Sequence, residues 1–227
     1  MNDYPIEKRP PYYEQFYHSI KKMIFEGKFK PGERINETQL AREFGVSKSP
    51  VREAIRVLEK EGLVLVDEKS KVVVYEPTMR DVEEIYFCRM ALESFAVRLA
   101  TEVASDEQME QLEQTLLKTE QAIQESQESN TIIALNELFH GLIIEYTQNR
   151  RLQKQLNDLK SLTYLFRIMN FKGDNRATII LSQHREIFHY IKERKTDRAS
   201  QAMIDHLKCD LQHLTGVISH STAGHDQ

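Results

Sequence analysis

The amino-acid sequence predicts a mostly α-helical chain of 227 residues, with an N-terminal winged helix-turn-helix and a C-terminal all-α antiparallel helical bundle. Up to Gly62, apolar residues recur at helical spacing in three segments, and each segment ends at a glycine. Two short β-rich runs, residues 63–66 and 71–75, come next. From Asp81 to about His220 the periodicity is helical throughout. We therefore expect one domain over residues 1–76 and a second over residues 77–227, with disorder from about residue 221.

The first predicted helix carries a single apolar stripe and ends at Gly27. Its spacing is that of a buried face, so the aromatic residues of this helix are predicted to lie in the core and not to stack on nucleic acid. The stripe consists of Tyr13, Phe16, Ile20, Met23 and Ile24.

The second helix begins where Asn36 and Gln39 have the spacing of a capping box, and it ends at Gly45. A third helix follows almost at once, because Ser47 or Ser49 can cap it and Pro50 is tolerated in a first turn. Its buried stripe is Val51, Ala54, Ile55 and Leu58, and its opposite face is a basic row of Lys48, Arg52, Arg56 and Lys60.

A charged row of this kind is usually only a solvated face. Here a short helix and a tight turn precede it, which favours insertion of the N-terminal end of the third helix into a DNA major groove. The β-rich runs Leu63–Val66 and Lys71–Tyr75, joined by a polar turn at residues 67–70, complete a winged helix-turn-helix.

The segment from Pro31 to Leu65 resembles the DNA-binding domain of GntR-type bacterial transcription regulators. The matching residues are Pro31-Gly32-Glu33-Arg34, Leu40-Ala41 and Gly45-Val46-Ser47-Lys48-Ser49-Pro50-Val51-Arg52-Glu53-Ala54. The resemblance implies contacts with a double-stranded DNA operator, read mainly by Lys48 and Arg52, with the wing touching the minor groove or backbone. The full set of implied DNA-binding residues is Arg34, Thr38, Ser47, Lys48, Ser49, Arg52 and Arg56.

Two positions depart from the pattern of that family. Thr38 stands where many members have Arg, and Ser70 or Lys71 stands where the wing usually has Gly. The contact that Arg makes in those members, and the wing path that goes with Gly, therefore do not follow from the resemblance.

Charge is distributed unevenly along the chain, whose net charge is −4. Residues 1–76 hold 14 Lys and Arg against 13 Asp and Glu, whereas the remainder holds 17 against 22. A near-neutral domain with one basic face, joined to an acidic domain, indicates local and salt-sensitive DNA binding and not a histone-like coat.

The chain has no secretory segment and no run of eighteen uncharged apolar residues, so we expect a cytoplasmic protein without a membrane partner. Cys88 and Cys209 are too few for a disulfide scaffold and lack metal-ligand spacing, so we expect them to be core thiols in a reducing compartment.

In the second domain, Thr78 with Asp81 and Ser105 with Gln108 have the spacing of capping boxes. We expect six helices, which together form an antiparallel bundle. Their approximate bounds are residues 81–102, 105–124, 131–146, 152–169, 177–194 and 197–217.

Ligand-type side chains recur in three of these predicted helices. Asn136 and His140 lie one turn apart, and His184 and His206 belong to the last two helices. Taken singly, each histidine is better explained as a core or surface residue. Their runs, however, resemble the metal-site positions of the FCD effector domain in the FadR-like branch of the GntR family. That resemblance implies a divalent ion held by Asn136, His140, His184 and His206.

The same resemblance implies a carboxylate-bearing effector, a small organic or sugar acid, beside the ion. Three imidazoles and an amide favour zinc or nickel over calcium or magnesium. Arg89, in the run Arg89-Met90-Ala91-Leu92-Glu93, matches an effector-binding arginine of that branch, although a surface pair with Glu93 explains it nearly as well. Arg167 is a second candidate.

Two other classes of protein compete for the C-terminal domain. Glu137-x-x-His140 and Glu186-x-x-His189 have the form of a di-iron carboxylate oxidase, with Glu93 and Glu120 as further candidates for its ligands. A metal-free, acyl-CoA-binding effector domain is the other alternative. We favour a non-enzymatic, ligand-responsive regulator, which in this family is most often a repressor. We expect a homodimer, because two-fold pairing doubles the DNA contact and produces a palindromic operator.

Overall fold

The computed structural model describes residues 11–69, 71–173 and 175–223, with the side chains of the last helix described as far as Ser219. The chain divides into two compact units, residues 1–77 and residues 78–227. Both are built mainly from helices, as the sequence predicts.

The described residues of the first unit, 11–69 and 71–77, contain three helices, α1 (Tyr12–Phe25), α2 (Glu37–Glu43) and α3 (Lys48–Lys60). The same residues form three short strands, β1 (Arg34–Ile35), β2 (Val64–Val66) and β3 (Val72–Val74), in an antiparallel sheet of order β1-β3-β2. The hairpin of β2 and β3 is the predicted wing. Strand β1 was not predicted, because two residues are too few to display an alternating pattern.

The core of this unit lies between α1 and α3. Ile20 from α1 and Val51, Ala54 and Leu58 from α3 are fully buried, and Phe16 is nearly so. The apolar stripe of α1 therefore faces the protein interior, as its spacing predicts.

Residues at the helix ends determine where α2 begins and how the chain turns into α3. The Asn36 Oδ1 atom accepts hydrogen bonds from the backbone amides of Thr38 and Gln39, which caps α2. The Gln39 side chain does not complete the predicted capping box, because its amide donates to Glu43 instead. Gly45 follows α2 with φ +66°, a left-handed conformation that turns the chain into α3 at low cost.

Seven helices lie in the part of the second unit that the structure describes, residues 78–173 and 175–223. They are α4 (Met79–Val103), α5 (Asp106–Gln124), α6 (Ser129–Tyr146), α7 (Arg150–Asp158), α8 (Lys160–Asn170), α9 (Arg176–Lys192) and α10 (Thr196–Ala223). The prediction of one helix over residues 152–169 is wrong, since the backbone breaks at Leu159 between α7 and α8. No glycine or proline marks this break, so local sequence could not signal it.

Helix α10 packs along α4 and also against α9, while α5 packs against α6 and α9. The predicted capping boxes at the starts of α4 and α5 are both present, from Thr78 with Asp81 and from Ser105 with Gln108. Large core side chains such as Phe139, Phe166 and Ile187 fill the space between the helices.

Two expectations for this unit need correction. Cys88 is exposed on α4 and Cys209 is half-buried, so Cys88 is not a core thiol. Helix α10 continues to Ala223, past the residue where disorder was expected to begin, and residues 224–227 lie outside the described part of the chain. Within the described residues, no helix combines the length and the apolar content needed to span a membrane.

Candidate functional site

The predicted DNA-contacting side chains lie on one exposed side of the first unit. Lys48, Ser49, Arg52 and Arg56 are exposed along α3, because the opposite face of this helix is buried. Ser47 is the N-cap residue of α3, and within the described residues its side chain makes no capping hydrogen bond. A row of exposed positive charge on a short helix suits contact with phosphates and guanine edges.

Arg34 and Thr38, the two candidates outside α3, are also exposed, on β1 and in the first turn of α2. The Arg52 Nε atom lies 3.4 Å from Glu37 Oε2 in a largely exposed pair. Such a pair adds little stability and leaves the guanidinium able to exchange partners. In the wing, Asp67 Oδ1 accepts hydrogen bonds from the backbone amides of Lys69 and Lys71, whereas Ser70 lies outside the described residues.

The second site is a cluster of three buried histidines inside the bundle. His140 on α6, His184 on α9 and His206 on α10 each expose 2% or less of their surface. The Nε2 atom of His184 lies 3.2 Å from that of His140 and 3.4 Å from that of His206. Two nitrogens bound to one tetrahedral zinc ion lie about 3.3 Å apart, given zinc–nitrogen distances near 2.0–2.1 Å. The cluster thus has the spacing of a metal site.

Hydrogen bonds behind the cluster orient two of these rings. His140 Nδ1 donates to Glu93 Oε2 at 2.7 Å, and His206 Nδ1 donates to the side-chain oxygen of Gln183 at 2.8 Å. With the proton on Nδ1, each ring directs an Nε2 lone pair into the cluster. Carboxylates and amides in this outer position hold ligating histidines in place and raise their basicity.

Burial favours the neutral form of His184 and His206. Burial lowers the pKa of His206 to about 4, although Asp210 opposes the shift. Burial also holds the pKa of His184 well below its usual value, and the neighbouring rings add to the effect. Neutral imidazole is the form that binds metal ions, so protons compete weakly for this site.

Asn136 lies one turn before His140 on α6 and is buried. Its Oδ1 atom has no hydrogen-bond partner among the residues that the structure describes. A buried amide oxygen without a partner is costly, and it is relieved if the oxygen ligates an ion. The three histidines therefore fit a divalent metal ion, and Asn136 offers an unused oxygen one turn from His140.

Arg89 and Arg167, the two predicted effector-binding arginines, are both buried. The Arg89 Nε atom donates to Glu93 Oε1 at 2.7 Å, so the pair with Glu93 exists but lies in the interior and not on the surface. Both terminal nitrogens of Arg89 lack a hydrogen-bond partner within the described part of the chain. Arg167 pairs with Glu137, and burial, followed by repulsion from Arg89, lowers the pKa of Arg167 to about 10.

A cavity of about 520 Å³ lies beside the histidine cluster. Its walls come from α6, α7 and α8 together with Glu93 of α4, and they include His140, Glu137, Lys160 and Arg167. This volume falls within the usual range for a small-molecule site. Arg167 and Lys160 reach the cavity from α8, beyond the helix break that the sequence did not reveal.

The di-iron alternative fails on geometry. Glu186 and His189 of the second Glu-x-x-His pair are exposed on α9, and His189 lies 3.5 Å from Glu193. Glu120 pairs with Arg185. The pattern recurred by chance, because residues three apart share a helix face whether that face is buried or solvated.

Sequence reasoning missed several groups that support the site. Asp210 is buried and accepts a 2.5 Å hydrogen bond from the Arg176 guanidinium, and its other oxygen lies 3.7 Å from His206 Nε2. Asp210 is one helical turn beyond His206, the same spacing that joins Asn136 to His140. That spacing was the available signal, whereas Gln183 and Arg176 offered none.

Two family profiles match the chain. The profile of "Bacterial regulatory proteins, gntR family" matches residues 12–74, and that of the "FCD domain" matches residues 84–208. The uncharacterized HTH-type transcriptional regulator YdhC of Bacillus subtilis (strain 168) is 45% identical over 218 residues, which cover 96% of this chain and 97% of that protein.

A more distant relative is the gluconate operon transcriptional repressor of the same organism. It is 26% identical over 187 residues, which cover 80% of this chain and 75% of that protein. Among solved structures, E. coli McbR/YncC has the same fold, with a TM-score of 0.76, 24% identity, and coverage of 92% of this chain and 99% of that one. The chain therefore belongs to the gntR family of bacterial regulatory proteins, carries an FCD domain, and is a DNA-binding transcriptional regulator and not an enzyme.

Proposed function

We propose that this regulator is a homodimeric repressor that binds a palindromic operator and is controlled by a small carboxylate-bearing metabolite in a metal-containing pocket. Residues 1–76 form the DNA-binding domain, and residues 77–227 form the effector-binding and dimerisation domain of a cytoplasmic protein. The observation that carries the regulatory part is the buried cluster of three histidines beside an unpartnered amide oxygen and a buried arginine.

The operator is read by α3. Lys48 and Arg52 are exposed near its N-terminal end and serve as base readers, while Arg56 and Arg34 contact phosphates. A single winged helix reads only a few base pairs, so a dimer with two half-sites is required for useful specificity. The name of the gluconate operon repressor supports the choice of a repressor over an activator.

The effector pocket is formed by the histidine cluster and the adjoining cavity. Asn136, His140, His184 and His206 hold a divalent ion, zinc or nickel, whose open positions accept a carboxylate when it is bound. Arg89 is joined to His140 through Glu93 and has terminal N–H groups that make no hydrogen bond among the described residues, and Arg167 supplies a second guanidinium that lines the cavity. Charge-assisted hydrogen bonds from arginine suit planar carboxylates.

The dimer uses the exposed apolar face of α4. Phe87 and Phe95 are 71% and 68% exposed, and they lie two turns apart with the exposed Ala91 between them. Two large aromatics on one solvent-facing stripe are unusual for a monomer surface, and Phe is enriched at protein interfaces. A second copy of the chain packed in a two-fold arrangement covers both residues at once.

Two measurements test the DNA-binding part of this proposal. The purified protein should retard a fragment of its own promoter in a gel-shift assay, and footprinting should show a short palindrome with a GT…AC core. Two protected half-sites without symmetry, or protection of a single half-site, would contradict binding by a two-fold dimer.

Metal analysis tests the pocket. We expect about one ion per chain, and His140→Ala or His184→Ala should lower occupancy to well under one and weaken the melting shift caused by the effector. Removing one of four ligands leaves too few donors to compete with water and buffer. His18→Ala is the matched control, because His18 is exposed on α1 in the other unit. Full metal occupancy in both His140→Ala and His184→Ala would show that these histidines do not bind the ion.

A further inference from the structure

The interior of the bundle contains a balanced set of charges. Arg89, Arg167 and Arg176 are the arginines buried in the described part of the bundle, and each faces a carboxylate. Arg89 pairs with Glu93 at 2.7 Å, Arg176 pairs with Asp210 at 2.5 Å, and Arg167 pairs with the partly buried Glu137. The formal charge of these three ion pairs is zero.

A divalent ion in this site leaves two positive charges without a partner. Asn136 contributes an amide oxygen and no charge, so it does not offset them. The three carboxylates already neutralise three arginines. Since an uncompensated buried charge is strongly unfavourable, the site favours a ligand that brings negative charge with it.

The unused hydrogen-bonding groups point to the same kind of ligand. The Tyr86 hydroxyl, both terminal nitrogens of Arg89 and the Nε atom of Arg176 are buried and make no hydrogen bond among the described residues, although the Arg89 guanidinium lies over the Tyr86 ring at 4.8 Å. Arginine nitrogens only donate, the Tyr86 hydroxyl can donate or accept, and the amide oxygen of Asn136 only accepts. The interior thus has an excess of donors, which oxygen-rich anions satisfy.

We propose that the effector of this regulator is a dianion of the dicarboxylate class, and that the uncharged Asn136 sets this preference. One carboxylate lies at the ion, and the second lies in the adjoining cavity against the Arg167 guanidinium. An aspartate at position 136 would reduce the charge deficit from two to one and shift the preference towards monocarboxylates. This inference rests on the proposed metal-containing carboxylate pocket.

The test compares acids of equal carbon number on the full-length, zinc-loaded protein at pH 7.5. Succinate and glutarate are the dianionic probes, and butyrate and valerate are the monoanionic ones. Titration calorimetry should show that the dicarboxylates bind about tenfold tighter or more, because the second carboxylate adds charge-assisted hydrogen bonds that the monocarboxylates cannot make. Zinc content is measured after each titration to establish that the acids have not extracted the ion.

The variant Asn136→Asp should keep its zinc and bring the ratio of dicarboxylate to monocarboxylate affinity close to one. Asn130→Asp is the matched control, because Asn130 is exposed in the first turn of the same helix and should leave the ratio unchanged.

The possible results separate the two levels of the argument. Equal or tighter binding of the monocarboxylates would overturn the dianion inference and leave the carboxylate pocket standing. Binding of none of the four acids to the zinc-loaded protein would overturn the pocket itself. Loss of zinc from Asn136→Asp, or the same ratio in both Asn→Asp variants, would remove Asn136 as the determinant.

Discussion

Glu93 links the effector-binding arginine to the metal cluster, and replacing it with glutamine tests that link. One carboxylate oxygen accepts from Arg89 Nε at 2.7 Å and the other accepts from His140 Nδ1 at 2.7 Å. Burial alone would raise the pKa of Glu93, but the Arg89 guanidinium and the His140 ring hold it well below its usual range. The carboxylate is therefore ionised, and it accepts one hydrogen bond from Arg89 and one from His140.

The variant Glu93→Gln keeps the volume of the side chain and removes its charge. A glutamine amide presents one oxygen and one NH2 group, so its NH2 group must face either the Arg89 donor or the His140 donor. Breaking a buried ion pair by removing one partner costs about 3–5 kcal/mol. Losing an outer-sphere partner of a ligating histidine lowers metal affinity by about 10–100-fold. We expect both effects in this one variant.

Two assays separate these effects. Urea unfolding of the metal-free protein measures the free energy of unfolding, and competition with a chromophoric chelator measures the dissociation constant for zinc. Glu186→Gln is the matched control, because Glu186 is exposed on α9, and it should change neither quantity.

Two outcomes would contradict the link between Glu93 and His140. If Glu93→Gln lost stability but kept its zinc affinity within a factor of two, Glu93 would serve only as the counter-ion of Arg89. If neither quantity changed, the buried network that joins Arg89, Glu93 and His140 would not exist in solution.

Three further predictions concern DNA binding, dimerisation and pH. Arg52→Ala should weaken operator binding by about 1–3 kcal/mol per half-site in a gel-shift titration. The control Lys60→Ala, at the far end of α3, should weaken it less. Equal operator affinity of Arg52→Ala and the unaltered protein would show that Arg52 reads no bases. Phe95→Glu should shift the dimer towards monomers in sedimentation analysis, whereas Leu117→Glu, on the exposed face of α5, should not. The metal-free protein should lose stability as the pH falls from 6.5 to about 4, because the unfolded chain binds a proton at His206 that the folded chain excludes. The loss should reach up to about 3 kcal/mol in urea unfolding, and a stability that is flat over this range would contradict it.

Much of the DNA-binding unit could be predicted from sequence because its signals are local. Asn36 caps the helix that follows it, Gly45 ends that helix, and Asp67 closes the wing, and each acts on amides or dihedral angles within a few residues. The alternation of buried and exposed positions along α3 follows directly from helical spacing. Strand β1 was missed because it exists only through pairing with β3, some forty residues later.

The residues of the candidate site could be named from sequence, but their chemistry could not. A pair such as Arg89 and Glu93 has the same spacing on a surface as in a core, and sequence favoured the two almost equally. Packing of α4 against α6 and α10 buries this pair and converts it from a weak surface contact into a coupled group beside His140.

Sequence by itself determined the family, the order of the helices and the set of ligand-type residues, because helix caps, glycine turns and periodicity are written over short spans. Only the tertiary structure decided which of these residues meet. It brought together nitrogens from α6, α9 and α10, left the second Glu-x-x-His pair in solvent, and placed Asp210 beside Arg176. Distances between side chains on different helices depend on how whole helices pack, and no short span of sequence contains that information.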